Sequence, residues 1–488
     1  MVANGALILN FFFTLGILTS FQAALTMSGI AGMVLTLGTA VDANVLIYER
    51  IKEELRGGKG MKSAISAGYS NAFSAIFDSN LTSLITGIIL FMAGTGPIKG
   101  FATTLIIGIV CSFFTAVWLT RIVFEHYVNR EKWLDLTFTT SVSRNLFKDT
   151  KYKFMSIYKR SFTIFGILVA AGIISLCVRG LSQSIDFTGG RNFKVEFLKD
   201  VDIEATRAVL QKNLVDKESD EAVNTNVIAL GTEGKSIRVT TNYKIKDNGA
   251  SIDQEIEEIL YKSFVEIGLV DKGVSLDAFI DRDNREGGSI ISSQKVGPSI
   301  AKDITYKAFI SVFLALIAIF LYILLRFRNV AYSVGSIVAL AIDTFMIIAM
   351  YSICYGWIGF SLEIDQTFIG AILTAIGYSI NDKVVVFDRI RENFKLYPKR
   401  EHQRIFNESL NQTLTRTINT SVSTLIVLLA IFIFGGDSIR SFAFAMILGV
   451  VFGTLSSIFI AAPTAYLVMG GKIKETPEEA VAVPEPAK

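Results

Sequence analysis

The stretch TFIGAILTAIGYSINDKVVVFDRIRENF, residues 367 to 394, constrains this chain more than any other. It is apolar for about 20 residues, enough to cross a bilayer as a helix rising ~1.5 Å per residue. Asp382 nevertheless sits inside the run. An ionised carboxylate at such depth costs at least ~2.5–3.5 kcal/mol, so it faces a partner or a water-filled cavity rather than lipid. The construction recurs in VLTLGTAVDANVLIYERIKEEL, residues 34 to 55, with Asp42 inside the apolar run. At a shift of 339 positions, Gly38 meets Gly377, Val41 meets Ile380, Tyr48 meets Phe387, Arg50 meets Arg389 and Glu53 meets Glu392. The acids are one residue out of step, because Asp42 aligns with Asn381 and Asp382 with Ala43. The fold must therefore hold two copies of one acid-bearing membrane helix.

Composition agrees. With 51% hydrophobic residues among 488, only seven prolines and a mean hydropathy of +0.48, the chain reads as a polytopic α-helical membrane protein. Ten apolar runs can span: roughly 5–26, 29–48, 72–93, 100–124, 161–179, 305–325, 331–353, 367–387, 414–434 and 441–467. Basic residues set the orientation. Lys52, Arg56, Lys59 and Lys62 share one loop, and Arg130, Lys132, Arg144, Lys148, Lys151, Lys153, Lys159 and Arg160 the next. Arg326, Arg328, Arg389, Arg391, Lys395, Lys399, Arg400 and Arg404 fall on that same side, which is assigned to the cytoplasm. The opposite side receives three short loops and the whole of 181–302.

Segment 181–302 reads as a soluble α+β domain. RNFKVEFL and SIRVTTNY alternate as strands, IEATRAVLQKNL and IDQEIEEILYKSFVEIGL have helical spacing, and a strand before residue 300 would close the sheet. This order suits a ferredoxin-like, split βαβ sandwich. It shows no nucleophile–base pair, metal cluster or phosphate loop, so no enzymatic activity, cofactor or metal is expected. Cys111, Cys177 and Cys354 lie in or beside apolar runs as packing residues, and His126 and His402 lie in charged loops. The tail from Lys474, rich in Glu, Pro and Ala, reads as disordered.

The repeat extends beyond its central pair. FDSNLTSL at 77–84 matches INTSVSTL at 418–425, and GPIKGFATTLIIG at 96–108 matches DSIRSFAFAMILG at 437–449. NFFFTLGILTS from Asn10 matches DTFMIIAMYSI from Asp343. Two further helices and the soluble domain precede this point in the second copy and have no counterpart in the first. Repeats of this kind build transporters whose coupling site lies between the halves.

The chemistry lies within the membrane. Arg416 and Asn419 are three apart on helix 414–434, share a face and enter from the cytoplasmic side. Asp42 and Asp382 lie on helices running toward that side, so the three charges sit at similar depth. In the first copy Asp78 occupies the place of Asn419. Burial favours a neutral carboxyl and a nearby guanidinium favours an ionised one, so movement of Arg416 would load and unload a proton. The competing reading is a static ion pair holding the halves together. Asp343 faces an apolar run with no evident partner, and Lys383, about 100° round the helix from Asp382, is expected to face elsewhere or snorkel.

VDANVLIYERIKEEL, DFTGG at 186–190, VGPSI at 296–300, INDKVVVFDRIREN and TRTINTS together resemble the SecD/SecF protein-export family, in its fused SecDF form, within the resistance-nodulation-division superfamily. The resemblance implies SecD-like helices over 1–125, a cytoplasmic linker over 126–160 and a first SecF-like helix over 161–180. It implies an extracytoplasmic domain over 181–302, a five-helix bundle over 303–470 and a cytoplasmic tail over 471–488. Two SecD helices and the large SecD domain are then expected upstream. It implies a proton-motive-force-driven accessory of the Sec translocase in the bacterial inner membrane. Its partners would be the translocon channel with its associated membrane subunits, unfolded secretory polypeptides, protons and lipid, with no nucleic acid. The intramembrane acids carry over to Asp42 and Asp382, and the basic partner to Arg416, with Asn381, Asp78, Asn419 and Asp343 as neighbouring candidates. Where SecF often shows His-Asp this chain has Ile342-Asp343, and Lys383 stands where Thr is more usual. The alternative on the same scaffold is a proton-coupled exporter of small molecules or lipids, which would need a roomy apolar substrate pocket. A third is a scaffold that stabilises the translocon without transducing energy.

Overall fold

The computed structural model describes residues 2–471 apart from 24–25, 95, 134–135, 139–150, 216–222, 231–233, 246, 248–249, 284–287, 359, 361 and 436. Arg144, Lys148 and the tail expected to be disordered lie outside the described residues. Among the described residues, ten helices are long and apolar enough to cross a membrane. In the first repeat these are α1 (Val2–Ser20), α2 (Met27–Arg56), α3 (Met61–Ala93) and α4 (Gly96–Phe114), the last continued by α5 (Thr120–Asn129). After α6 (Tyr158–Arg179) and the soluble domain come α11 (Pro298–Phe327), α12 (Val330–Cys354), α13 (Gln366–Leu396), α14 (His402–Phe434) and α15 (Asp437–Ser456), the last continued by α16 (Ala462–Val468). Both α4–α5 and α15–α16 are joined by a π-helical turn, at Thr115–Leu119 and Ser457–Ala461, so even this distortion is repeated.

The repeats contact each other as their sequences pair. The α2–α4 contact is mirrored by α13–α15, the α3–α13 contact by α14–α2, and the α1–α4 contact by α12–α15. At the charged ends the exchange is reciprocal. Arg50 reaches Glu392 at 3.5 Å, and Arg389, the counterpart of Arg50, reaches Glu53, the counterpart of Glu392, at 2.9 Å. Asp42 meets its own counterpart Asn381 about two turns earlier on both helices. Contacts in this order mean that α2 and α13 run in the same direction about a pseudo-twofold axis. Small residues bring the helices together: a Cβ on Gly377 would lie 2.6 Å from Thr86 Oγ1, and one on Gly453 2.6 Å from Ser379 Oγ. As a result α13 is buried along nearly its whole membrane-crossing length, and lipid-facing apolar side chains lie on the outer helices, such as Phe309, Phe313 and Ile426.

The soluble domain contains α7 (Ile185–Thr188), β1 (Gly190–Glu196), α8 (Ile203–Asn213), β2 (Thr225–Leu230), β3 (Ser236–Thr241), α9 (Ala250–Glu266), α10 (Leu276–Ile280) and β4 (Ser289–Val296). The sheet runs β2-β3-β1-β4, antiparallel throughout, which is the ferredoxin-like order. Strand β2 is not expected from the sequence, because TNVIAL lacks the clean alternation of SIRVTT. Phe193, Val195, Ile237 and Val239 bury one sheet face with Leu210 of α8 and Ile256, Leu260 and Phe264 of α9. The opposite face, with Asn192, Lys194, Arg238 and Gln294, looks onto the helix bundle across a cavity of ≈ 480 Å³ that also reaches Asp186 and Asp365.

Candidate functional site

Asp42 on α2, Asp382 on α13 and Arg416 on α14 converge inside the bundle, with relative exposures of 6%, 2% and 6%. Asp382 lies 16 residues beyond the start of α13, or ~24 Å along the helix, which puts it well inside the membrane. Asp42 is the best satisfied of the three. It accepts from Thr420 Oγ1 at 2.9 Å and from Arg416 Nη2 at 3.4 Å, and its other oxygen accepts from Asn381 Nδ2. Arg416 Nε and Nη1, Asp382 Oδ2 and Asn381 Oδ1 are buried without a hydrogen-bond partner. The cation is thus committed to one acid while retaining two free donors, and the second acid retains a free oxygen. A cavity of ≈ 50 Å³ opens beside Asp42, Asn381 and Arg416, lined by Ser79, Asn80 and Ser83 of α3. That is space for water at a polar site.

Three candidates lie elsewhere. Asp78 does not join Asp42: it accepts from Arg326 Nε at 2.6 Å and from Tyr322 OH at 2.8 Å, both on α11. Repeat alignment could not show this, because α11 has no counterpart in the first copy. Asn419 is half-buried, and its place at Asp42 is taken by Thr420, one residue on. The expectation that Asp343 has no partner is corrected, and of the two alternatives for Lys383 the first holds, since it faces away from Asp382 toward α12. Lys383 is fully buried, does not snorkel, and pairs with Asp343 Oδ2 at 3.0 Å. Asn381, Asp382 and Lys383 therefore serve three different directions from α13: toward α2, toward Thr454 on α15, and toward α12. Consecutive helical residues are ~100° apart, so this division follows from helix geometry.

A second group lies where the soluble domain meets the bundle. Residues 362–366 pair with 182–184 as a short parallel bridge: Ser184 N donates to Ile364 O at 3.0 Å and Ile364 N to Ser182 O at 2.8 Å. Arg238 of β3 holds Glu363 at 2.8 Å, and Gln366 N donates to Asp186 of the DFTGG segment at 3.2 Å. Asp365 caps α13 through Phe368 N at 2.8 Å. Burial raises the Glu363 carboxyl above the usual carboxylate range, with Arg238 opposing, and burial raises Asp365 likewise. The same five residues thus anchor the soluble domain and start the helix that carries Asp382.

Comparison with known proteins now decides the family. The family described as "Protein export membrane protein SecD/SecF, C-terminal" matches residues 1–130 and 280–470, and the SecD/SecF GG motif matches 174–201. The chain is 34% identical to the protein translocase subunit SecDF of Bacillus subtilis over 97% of its own length and 61% of that protein. It is 36% identical to SecF of Rhodothermus marinus, covering 65% of this chain and 93% of that one. The chain belongs to the SecD/SecF family. The crystal structure of SecDF from Thermus thermophilus superposes with a TM-score of 0.80 at 32% identity, over 96% of this chain and 59% of that one. The chain spans about three-fifths of the length of the SecDF proteins it matches. As a SecD/SecF protein it is a multi-pass protein of the inner membrane, and its two family-model segments are the two repeats read from the sequence.

Proposed function

We propose that this chain is part of an accessory of the Sec protein translocase that uses the proton-motive force to promote late steps of protein export. The observation that carries this reading is the half-satisfied triad of Asp42, Arg416 and Asp382. A structural ion pair would be saturated, whereas here buried donors on the cation and a buried oxygen on the second acid are left open. The arrangement suits two alternatives, with Arg416 on Asp42 in one and turned toward Asp382 in the other. A proton taken up by the acid that lacks the cation would stabilise either one. The cavity beside Asp42 leaves space for water at the site.

Asp382 would be the carboxyl that changes protonation, and Asp42 the one that holds Arg416 in the present arrangement. The soluble domain would lie on the extracytoplasmic side, opposite the basic loops, where it could meet an emerging unfolded polypeptide. Movement of α13 would reach it through residues 362–366. The partners would be the translocon channel and its membrane subunits. A small-molecule exporter gains no support: the cavity at the triad is far smaller than the several hundred Å³ of a ligand pocket, and the ≈ 480 Å³ cavity beneath the sheet is lined by Asp186, Lys194, Arg238 and Asp365 rather than by the apolar side chains such a pocket needs.

The test is export of a secretory precursor by membranes carrying the chain in its natural full-length context, with and without a proton gradient. Asp382→Asn keeps shape and hydrogen bonding and removes the titratable group. It should abolish the gradient-dependent increment while the protein accumulates normally. Arg416→Ala should abolish it too, by removing the cation that distinguishes the acids. A parental gradient response in Asp382→Asn would leave a static pair as the reading.

A further inference from the structure

One buried charge cluster lies apart from the Asp42–Asp382–Arg416 triad. Lys383 Nζ is enclosed by four oxygens: Asp343 Oδ2 at 3.0 Å, Ser456 Oγ at 3.1 Å, Ser379 O at 3.4 Å and, closest, Ser379 Oγ. The two hydroxyls are held in place by the same carboxylate oxygen, Ser379 Oγ at 2.7 Å and Ser456 Oγ at 2.8 Å. Lys383 and Ser456 have 0% relative exposure, Ser379 1% and Asp343 3%. Asp343 Oδ1 is buried without a hydrogen-bond partner, so the carboxylate has unused ligating capacity. Gly453 lets α15 approach Ser379, and Ser456 directly precedes the π-helical turn at Ser457–Ala461.

A carboxylate, two hydroxyls and a main-chain carbonyl around one point are the hard oxygen donors that an alkali or alkaline-earth cation takes. The first repeat supplies a control within the chain. The counterparts of Asp343 and Lys383 there are Asn10 and Asn44, both buried and each with an unpartnered polar atom. Carboxylate and ammonium are therefore both present in the second half and both replaced by amides in the first. The positive charge goes with the acid.

We propose that the Lys383 ammonium is the resident cation of a monovalent-cation site built by Asp343, Ser379 and Ser456, and that its covalent tether keeps Na⁺ out of the second repeat. This rests on the proton-linked reading of the neighbouring triad and extends it to the choice of ion. With Lys383 in place, the exchangeable charge at this depth beside α13 would be a proton on the Asp42–Asp382–Arg416 device rather than Na⁺. A lysine meets the charge requirement of the cage permanently, with its ammonium held on all four oxygens.

The test reads binding rather than transport, so it can fail without touching the proton-linked reading. The chain, its Lys383→Ser variant and the double variant Asp343→Asn/Lys383→Ser are purified in sodium chloride, then exchanged into sodium, potassium or choline chloride at equal ionic strength. Unfolding temperature is measured in each. Lys383→Ser should gain several degrees in Na⁺ over choline with saturable dependence, as expected for a ligand that binds only the folded state. The parent and the double variant should show no difference. Indifference of Lys383→Ser to Na⁺ would overturn the proposal. So would recovery of the double variant but not of Lys383→Ser from sodium-containing membranes, since Na⁺ would then fail to replace the ammonium. An equal Na⁺ response in the double variant would place the ion elsewhere and also refute it.

Discussion

Thr420 shows what single residues do at this site. Its hydroxyl, rather than the amide of Asn419, donates to Asp42, and sequence spacing alone could not separate neighbours ~100° apart on one helix. Thr420→Val keeps the shape and removes that donor from a buried carboxylate. It should destabilise the protein by about 1–3 kcal/mol, read as a lower unfolding temperature, and a change within error would mean that Asp42 does not depend on it. The positions of Asp42, Asp382 and Arg416 were legible because a charge inside an apolar run is costly wherever it occurs. Their partners were not. The Asp343–Lys383 and Asp78–Arg326 pairs join helices 40 and 248 residues apart in sequence, and only packing brings them together.

At the scale of elements, α13 and the segment that starts it connect the two parts of the molecule. Asp365 both caps α13 and is buried, and its folded carboxyl is raised above its unfolded value. A carboxyl so shifted contributes fully below its unfolded pKa, and that stability is lost as pH rises through the folded value. Asp365→Asn keeps the cap, since Asn serves as well as Asp, and removes the titration. The variant should match the parent in acid, exceed it at neutral pH, and show a flatter fall in unfolding temperature between the two. A parental pH profile would contradict this assignment. Arg238→Ala should act in the opposite direction, because it leaves Glu363, only 6% exposed, as a buried carboxylate with no cation. Hydrogen exchange at residues 182–184 should accelerate in that variant, more at neutral than at acid pH. Unchanged exchange would mean that the bridge alone holds the domain. Strand-by-strand reading found the alternating β1 and β3, whereas the bridge between 182–184 and 362–366 left no trace in local pattern, being a tertiary pairing of two short loops.

At the scale of the whole molecule, the internal repeat in the sequence becomes a physical interface. The reciprocal pairs Arg50–Glu392 and Arg389–Glu53, with Asp42 against Asn381, put the proposed coupling residues on the pseudo-twofold axis, where a shift of one repeat against the other would reach them. The soluble domain sits at the end of the bundle away from those arginines. With Cys111, Cys177 and Cys354 replaced, a cysteine at Lys235 should react with a membrane-impermeant thiol reagent added from outside the cell. Labelling only from the cytoplasm would reverse the topology. Infrared difference spectroscopy of the purified chain across a pH titration reads out whether Asp382 exchanges a proton while Arg416 is held by Asp42. A buried carboxylic-acid band should appear in the parent, be lost in Asp382→Asn and be altered in Arg416→Ala. The same carboxyl titration in the parent and in Asp382→Asn would contradict proton exchange at Asp382.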